Sequence, residues 1–187
     1  SDLSLASLSQ FTGLVLDEKI NGDNVDLACL PQLIHLSIWS IRIPQWLSTL
    51  SNLESLAMRT KDSLKQNQCQ ALLHLAAQLT SLQLILDSPP QDQGFLGRIL
   101  ACSSKLKRLK TSGVIVMPED IVHCRRLSEI KIKAPAQSKQ TWSKDFVSTL
   151  SQLPELRSLT LDLKERFIEN QFAENRMGET LTKLVIH

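Results

Sequence analysis

A cysteine nucleophile needs a base within hydrogen-bond reach, and the chain has two places where a cysteine and a histidine stand close in sequence. Cys69 lies five residues before His74, and His123 directly precedes Cys124. These pairs are the nearest candidates for catalysis, since the chain has no H-x-x-x-H or H-E-x-x-H metal pattern, no G-x-S-x-G turn and no glycine-rich phosphate loop. We therefore predict a non-enzymatic protein without catalytic residues, bound metal or cofactor.

The cysteines are predicted to be structural. They are Cys29, Cys69, Cys102 and Cys124. Their separations of 40, 33 and 22 residues include no C-x-x-C pair and no zinc-finger or zinc-ribbon spacing. Small buried thiols are common, and unpaired cysteines are typical of a reducing compartment. We expect core cysteines in an intracellular, cytoplasmic protein. No apolar run approaches the roughly 20 residues that span a bilayer, so no transmembrane segment is predicted.

The element that must position any functional residue is a repeat. Eight times, three residues fall at relative positions i, i+3 and i+5, and seven of these triplets are fully apolar. They are Phe11/Leu14/Leu16, Leu33/Leu36/Ile38, Leu53/Leu56/Met58, Leu79/Leu82/Leu84, Leu106/Leu109/Thr111, Leu127/Ile130/Ile132, Leu156/Leu159/Leu161 and Leu181/Leu184/Ile186. Steps of 20 to 29 residues separate their first members. A unit of that length cannot bury its own apolar face, so we predict a solenoid of stacked units.

This L-x-x-L-x-L pattern resembles the leucine-rich-repeat family, and the resemblance extends from about Leu5 to Ile186. The switch from spacing three to spacing two marks a turn that enters a short strand, whose alternate residues point into the core. The resemblance implies an α/β solenoid of about eight repeats, with parallel strands on a curved, concave face and helices or helical turns on the convex face. We expect residues 1–187 to form a single domain of this kind.

Two kinds of segment are predicted to return the chain from one strand to the next. Pro44 and Pro118 suit the first position of brief helical turns, because no amide hydrogen is needed there. Longer amphipathic segments predict helices over Leu64–Leu79, Phe95–Cys102, Trp142–Leu150 and Lys164–Glu179. The insertion Lys133–Lys144 is predicted to be a polar connection.

The chain departs from the family pattern in two ways. The asparagine that usually follows each strand is absent, and the matching positions hold Lys19, Ile41, Lys61, Asp87, Val114, Pro135 and Lys164. Each turn must therefore satisfy its backbone groups differently. Neither Ser1–Gln10 nor Thr182–His187 reads as a polar cap, which predicts a segment of a longer chain or ends that a partner covers.

The strand residues that alternate with the core positions should form three columns on the concave face. The first column contains His35, and the third contains Trp39, Arg59 and Ile85. Tryptophan and arginine are enriched at interface hot spots, and Ile85 adds apolar area, so we predict a protein-binding surface here. The alternative is that Trp39 is covered by a neighbouring loop or by sequence outside the chain.

The middle of the chain is basic. Residues 98–144 contain eleven lysines and arginines against three acidic residues, although the whole chain carries only +2. The residues of this set on the predicted concave face are Arg108, Lys110, Lys131 and Lys133. They could bind an acidic protein surface, an anionic lipid or nucleic acid, or could simply keep the surface solvated. Nucleic acid is disfavoured, because no Phe or Tyr interleaves the basic run as a stacking platform.

We interpret the chain as a module that binds a protein partner on its concave face. The resemblance implies three settings, namely a nucleotide-binding immune receptor, a ubiquitin-ligase adaptor and a bacterial effector acting in the host cytosol. The absence of disulfide caps and N-x-S/T sites favours these intracellular settings. The alternatives are an anion-binding module using the four basic residues, and a scaffold that contacts another domain of its own chain.

Overall fold

The computed structural model describes residues 10–16, 30–39, 45–92, 94–135, 144–162 and 181–186. The strands in these ranges are β1 (Gly13–Leu16), β2 (His35–Trp39), β3 (Ser55–Thr60), β4 (Ser81–Leu86), β5 (Arg108–Ser112), β6 (Glu129–Lys133), β7 (Ser158–Asp162) and β8 (Lys183–Ile186). The helices are a 3-10 helix (Gln45–Thr49), α1 (Gln66–Ala76), α2 (Phe95–Cys102), α3 (Pro118–Ile121) and α4 (Lys144–Ser151).

The strands form one sheet in which each strand pairs in parallel with the next along the chain. The second and third residues of each triplet stand in register, so that Leu36 aligns with Leu56 and Ile38 aligns with Met58. Alternate residues of a strand point to opposite faces, and along β2 to β7 only these register rows are consistently buried. The apolar core therefore lies on one face of the sheet, and the predicted parallel-stranded α/β solenoid is confirmed.

The helices form a row, in which α1 contacts the 3-10 helix and α2, α2 contacts α3, and α3 contacts α4. The helix predicted at Phe95–Cys102 has these bounds, while those predicted at 64–79 and 142–150 are found as α1 and α4 with shifted ends. Pro118 begins α3 as predicted, and the amide of Met117 donates to Asp120 Oδ2 at 2.9 Å. Pro44, the helix predicted at 164–179 and most of the insertion at 133–144 lie outside the described residues.

Hydroxyl and backbone groups replace the missing asparagines in the turns that leave β3 and β4. The buried Thr60 at the end of β3 donates from Oγ1 to the carbonyl of Asp62 at 3.1 Å. The amide of Asp87 donates to the carbonyl of Thr60 at 3.0 Å, and Ser88 Oγ donates to the carbonyl of Lys61 at 2.8 Å. These three bonds satisfy the carbonyls of Asp62, Thr60 and Lys61, so these turns are hydrogen-bonded without an asparagine.

A second set of bonds links the repeats where the strands begin. The amides of Thr80 and Ser81 both donate to the carbonyl of Glu54 in the preceding repeat, at 2.8 and 3.1 Å. Thr80, Ser128 and Thr182 also donate from their hydroxyls to the carbonyls that their own amides contact, at 3.2, 3.1 and 2.9 Å. These small polar side chains tie consecutive units together and hold the strands in register.

Thr111 is the polar member of an otherwise apolar triplet, and it lies in the core row between Leu84 and Ile132. Its side chain is buried, and its Oγ1 has no hydrogen-bond partner among the described residues. A buried hydroxyl without a partner loses its bonds to water and gains nothing in return.

We expect Thr111→Val to raise the free energy of unfolding by about 1 kcal/mol, because valine has the same shape and no hydroxyl to desolvate. Urea denaturation followed by circular dichroism measures this change. Thr160→Val on the half-buried opposite face of β7 is the matched control and should change stability by less than about 0.5 kcal/mol. A loss of stability in Thr111→Val would show that the hydroxyl does have a stabilising contact.

Candidate protein-binding surface

The face of the sheet opposite the core rows, here called the open face, corresponds to the predicted concave face. It consists of three register rows, running from β2 to β7. The first row is His35, Ser55, Ser81, Arg108, Glu129 and Ser158; the middle row is Ser37, Ala57, Gln83, Lys110, Lys131 and Thr160; the end row is Trp39, Arg59, Ile85, Ser112, Lys133 and Asp162. All eight residues predicted as binding residues lie on this face, and each is exposed or half-buried.

The end row begins with three of the predicted binding residues, Trp39, Arg59 and Ile85. They occupy aligned positions on β2, β3 and β4. The guanidinium carbon of Arg59 lies 5.9 Å from the centroid of the Trp39 ring, which is a cation–π distance. Trp39 remains 44% exposed, so the ring is accessible to a partner even though arginine covers part of it.

Asp87 fixes the position of Arg59. Arg59 donates from a terminal nitrogen to Asp87 Oδ2 at 3.1 Å and from Nε to the same oxygen at 3.3 Å. The two side chains are 39% and 36% exposed, so this ion pair contributes little to stability but orients the guanidinium over the ring. From the sequence, Asp87 is only one of the turn positions that lack asparagine. Because Asp87 stands two residues beyond Ile85, extending the strand alternation by one step would have placed it on the open face.

His35 does not join this cluster. It lies at the start of β2, four residues before Trp39, which is about 13 Å along an extended strand. Its neighbours in the first row are Ser55 and, one strand further, Ser81. His35 is therefore an exposed residue at the opposite margin of the open face.

The four basic residues come close together but do not form a uniform cationic patch. Lys133 forms an ion pair with Asp162 at 2.8 Å, and Arg108 stands in register beside Glu129. Lys110 and Lys131 stand beside each other in the middle row. Neither amine has an ion-pair partner within the described ranges.

The two cysteines considered as nucleophiles, Cys69 and Cys124, are both buried. Cys124 is buried, its Sγ donates to the carbonyl of Leu100 at 3.2 Å, and burial raises its pKa to about 12. Burial also raises the pKa of Cys69, so both thiols stay protonated at neutral pH and are poor nucleophiles. Cys102 is exposed, so the prediction of a core cysteine is wrong at this position, where α2 ends beyond its last buried residue, Leu100. Cys29 lies outside the described residues.

No group of three or more metal-ligating side chains occurs in the part of the chain that the structure describes. None of the helices in those same segments has both the length and the apolar character needed to cross a membrane.

Comparison with known proteins gives a structural likeness only. Neither a protein-family model nor a curated protein sequence matches the chain. The described strands nevertheless repeat one unit, in which each L-x-x-L-x-L segment enters a parallel strand and a return segment leads to the next. The chain has the leucine-rich-repeat fold.

A solved structure with this repeat is that of the Leptospira interrogans LRR protein LIC12759, with a TM-score of 0.49 and 16% sequence identity. The match covers 86% of this chain and 50% of that protein, so the chain spans half of the length of the protein it matches.

Proposed function

We propose that this leucine-rich-repeat chain is a non-enzymatic recognition module that binds a protein partner on its open face. The observation that supports this proposal is the Trp39–Arg59–Asp87 arrangement. A half-exposed tryptophan carries a guanidinium 5.9 Å from its ring centroid, and a carboxylate 3.1 Å away holds that guanidinium. Side chains ordered before binding lose less conformational entropy on binding, and Trp and Arg dominate hot spots.

The proposal applies equally to an intracellular receptor, a ubiquitin-ligase adaptor and a bacterial effector, the settings that the family resemblance implies. Cys69, Cys102 and Cys124 are free thiols, which fits a reducing compartment. The partner can also be another domain of the same chain, because the same side-chain contacts form whether or not the two parts are covalently linked.

Binding of a simple anion is the second candidate function. It is favoured by the adjacent Lys110 and Lys131, whose positive charges have no partner in the described segments. It is opposed by the ion pair of Lys133 with Asp162 and by Glu129 beside Arg108, because these carboxylates would repel a phosphate. Protein binding therefore accounts for more of the open face.

Trp39→Ala in the full-length protein is expected to weaken partner binding about tenfold or more, as truncation of a hot-spot residue does. Quantitative mass spectrometry of proteins that co-purify with the tagged chain identifies partners, and titration calorimetry measures their affinities. Val122→Ala is the matched control, because Val122 is exposed beside α3 on the other side of the core.

We expect at least one partner to bind the Val122→Ala variant but not the Trp39→Ala variant, while circular dichroism shows that both variants are folded. If every partner is insensitive to Trp39→Ala, the open face around Trp39 is not the recognition surface. If Trp39→Ala unfolds the chain, the ring has a structural role instead.

A further inference from the structure

The open face has two chemically different halves. On β2, β3 and β4 it presents Trp39, Arg59 and Ile85 among small or uncharged residues. On β5 and β6 it presents charged residues in every row except at Ser112. A partner that covers the open face must therefore match an aromatic and apolar region and a charged region side by side.

The surplus positive charge of the second half is confined to the middle row. In the first row, Arg108 is balanced by Glu129, and in the end row Lys133 is balanced by its ion pair with Asp162. In the middle row, Lys110 and Lys131 are neighbours.

Their own neighbours on either side, Gln83 and Thr160, are uncharged. Like charges beside each other on adjacent strands repel, which destabilises the sheet at this point. A pair of carboxylates bound at Lys110 and Lys131 would remove this repulsion.

The distance between the two halves sets the length of a bound peptide that contacts both of them. Adjacent strands lie about 4.8 Å apart, and two residues along a strand cover about 6.6 Å. Lys131 is therefore about 20 Å from Trp39, and the midpoint of Lys110 and Lys131 is about 14 Å from Arg59. At about 3.3 Å per residue, an extended peptide covers these distances with four to six residues.

We infer that the open face binds an extended acidic segment of the partner. An aromatic or large aliphatic side chain of that segment packs on Trp39 beside Arg59, and two carboxylates about four to six residues away pair with Lys110 and Lys131. This inference rests on the proposed protein-binding function and adds the chemistry of the bound segment. Asp87 and Asp162 limit the acidic contacts to the middle row, because each already neutralises the cation next to it.

A random twelve-residue peptide library displayed on phage and selected on the full-length protein tests the inference. We expect enriched peptides to combine an aromatic or large aliphatic residue with two acidic residues about four to six positions away, as the strand spacing requires. Selection on Lys110→Ser/Lys131→Ser should lose the acidic residues and keep the apolar one. Selection on Trp39→Ala should lose the apolar residue and keep the acidic ones.

The affinity of an enriched, fluorescein-labelled peptide is then measured by anisotropy in physiological salt. Lys110→Ser/Lys131→Ser should weaken binding about tenfold, since two charge contacts are lost. Lys105→Ser/Lys107→Ser removes the same charge from exposed positions outside the three rows and should change affinity less than twofold. A similar loss in both double variants would show that only net charge matters.

Other outcomes overturn the inference in distinguishable ways. Enrichment of basic peptides, absence of enrichment, or tighter binding to RNA or phosphatidylserine vesicles than to the selected peptide would each contradict an acidic protein segment as the ligand. If a partner found by co-purification depends on Trp39 but is not displaced by the selected peptide, the proposed function stands and this inference fails.

Discussion

Gly113→Ala is expected to lower the free energy of unfolding by about 3 kcal/mol or more, because two separate effects oppose a side chain at this position. Gly113 has a φ of 77°, in the left-handed region that glycine adopts without steric cost. A Cβ built there would lie only 1.8 Å from the carbonyl oxygen of Leu86, at the end of the neighbouring strand β4. Backbone atoms cannot rotate out of the way as a side-chain tip can, so the turn after β5 has to move.

Movement of this turn would also disturb the next strand. The amide of Gly113 donates to the carbonyl of Lys133 at 3.2 Å, which links the ends of β5 and β6. Displacing Gly113 from Leu86 therefore loosens contacts with both neighbouring repeats.

Urea denaturation measures the change, and Gly13→Ala provides the control. A Cβ at Gly13 would lie 3.9 Å from the Cβ of His35, an ordinary contact, so stability should change by less than about 0.5 kcal/mol. A loss of under about 1 kcal/mol in Gly113→Ala would mean that the turn relaxes without strain.

The leucine spacing predicts the strands and their register because it reports burial directly. Each pair of core residues at i+3 and i+5 must face the same side of a strand, and stacking identical units leaves only one parallel register that buries them all. Leu82 beside Leu109, and Ile130 beside Leu159, follow from this constraint alone. The fold class could therefore be predicted from positions that contain no functional residue.

The contacts of the candidate site were less predictable, because they involve the ends of strands. Trp39, Arg59 and Ile85 were predicted to share a column, and their register follows from the repeat. The pairing of Arg59 with Asp87 depends on where the backbone turns after β4, and no periodicity encodes that turn. The ion pair of Lys133 with Asp162 likewise depends on side-chain conformations, and it reduces the basic patch that composition alone suggested.

The structural role of Gly113 was likewise not predictable from the sequence. The sequence shows a glycine one residue after the predicted strand β5, but nothing in the spacing marks it as different from the other glycines. Its close approach to Leu86 arises from how two neighbouring turns pack, which is a tertiary property.

Phe95→Ala is expected to lower the free energy of unfolding by about 3–5 kcal/mol, the usual cost of removing a fully buried phenyl ring. Phe95 begins α2 and has no exposed surface. Its helix contacts α1 on one side and α3 on the other. The cavity left by Phe95→Ala would therefore lie in the middle of the row of helices. Ile115→Ala is the control, since Ile115 is a large apolar residue at an exposed position and should cost less than about 1 kcal/mol.

The location of the destabilised segments in Phe95→Ala is a stricter test of the solenoid than the change in the free energy of unfolding. In a solenoid each unit contacts mainly its neighbours, so stability is close to a sum of unit and interface contributions. Hydrogen exchange in Phe95→Ala should therefore accelerate most in β4, β5, α1 and α3 and much less in β7, which lies two strands beyond β5. Equal acceleration in β7 would contradict this local model and show that the described repeats unfold as one cooperative unit.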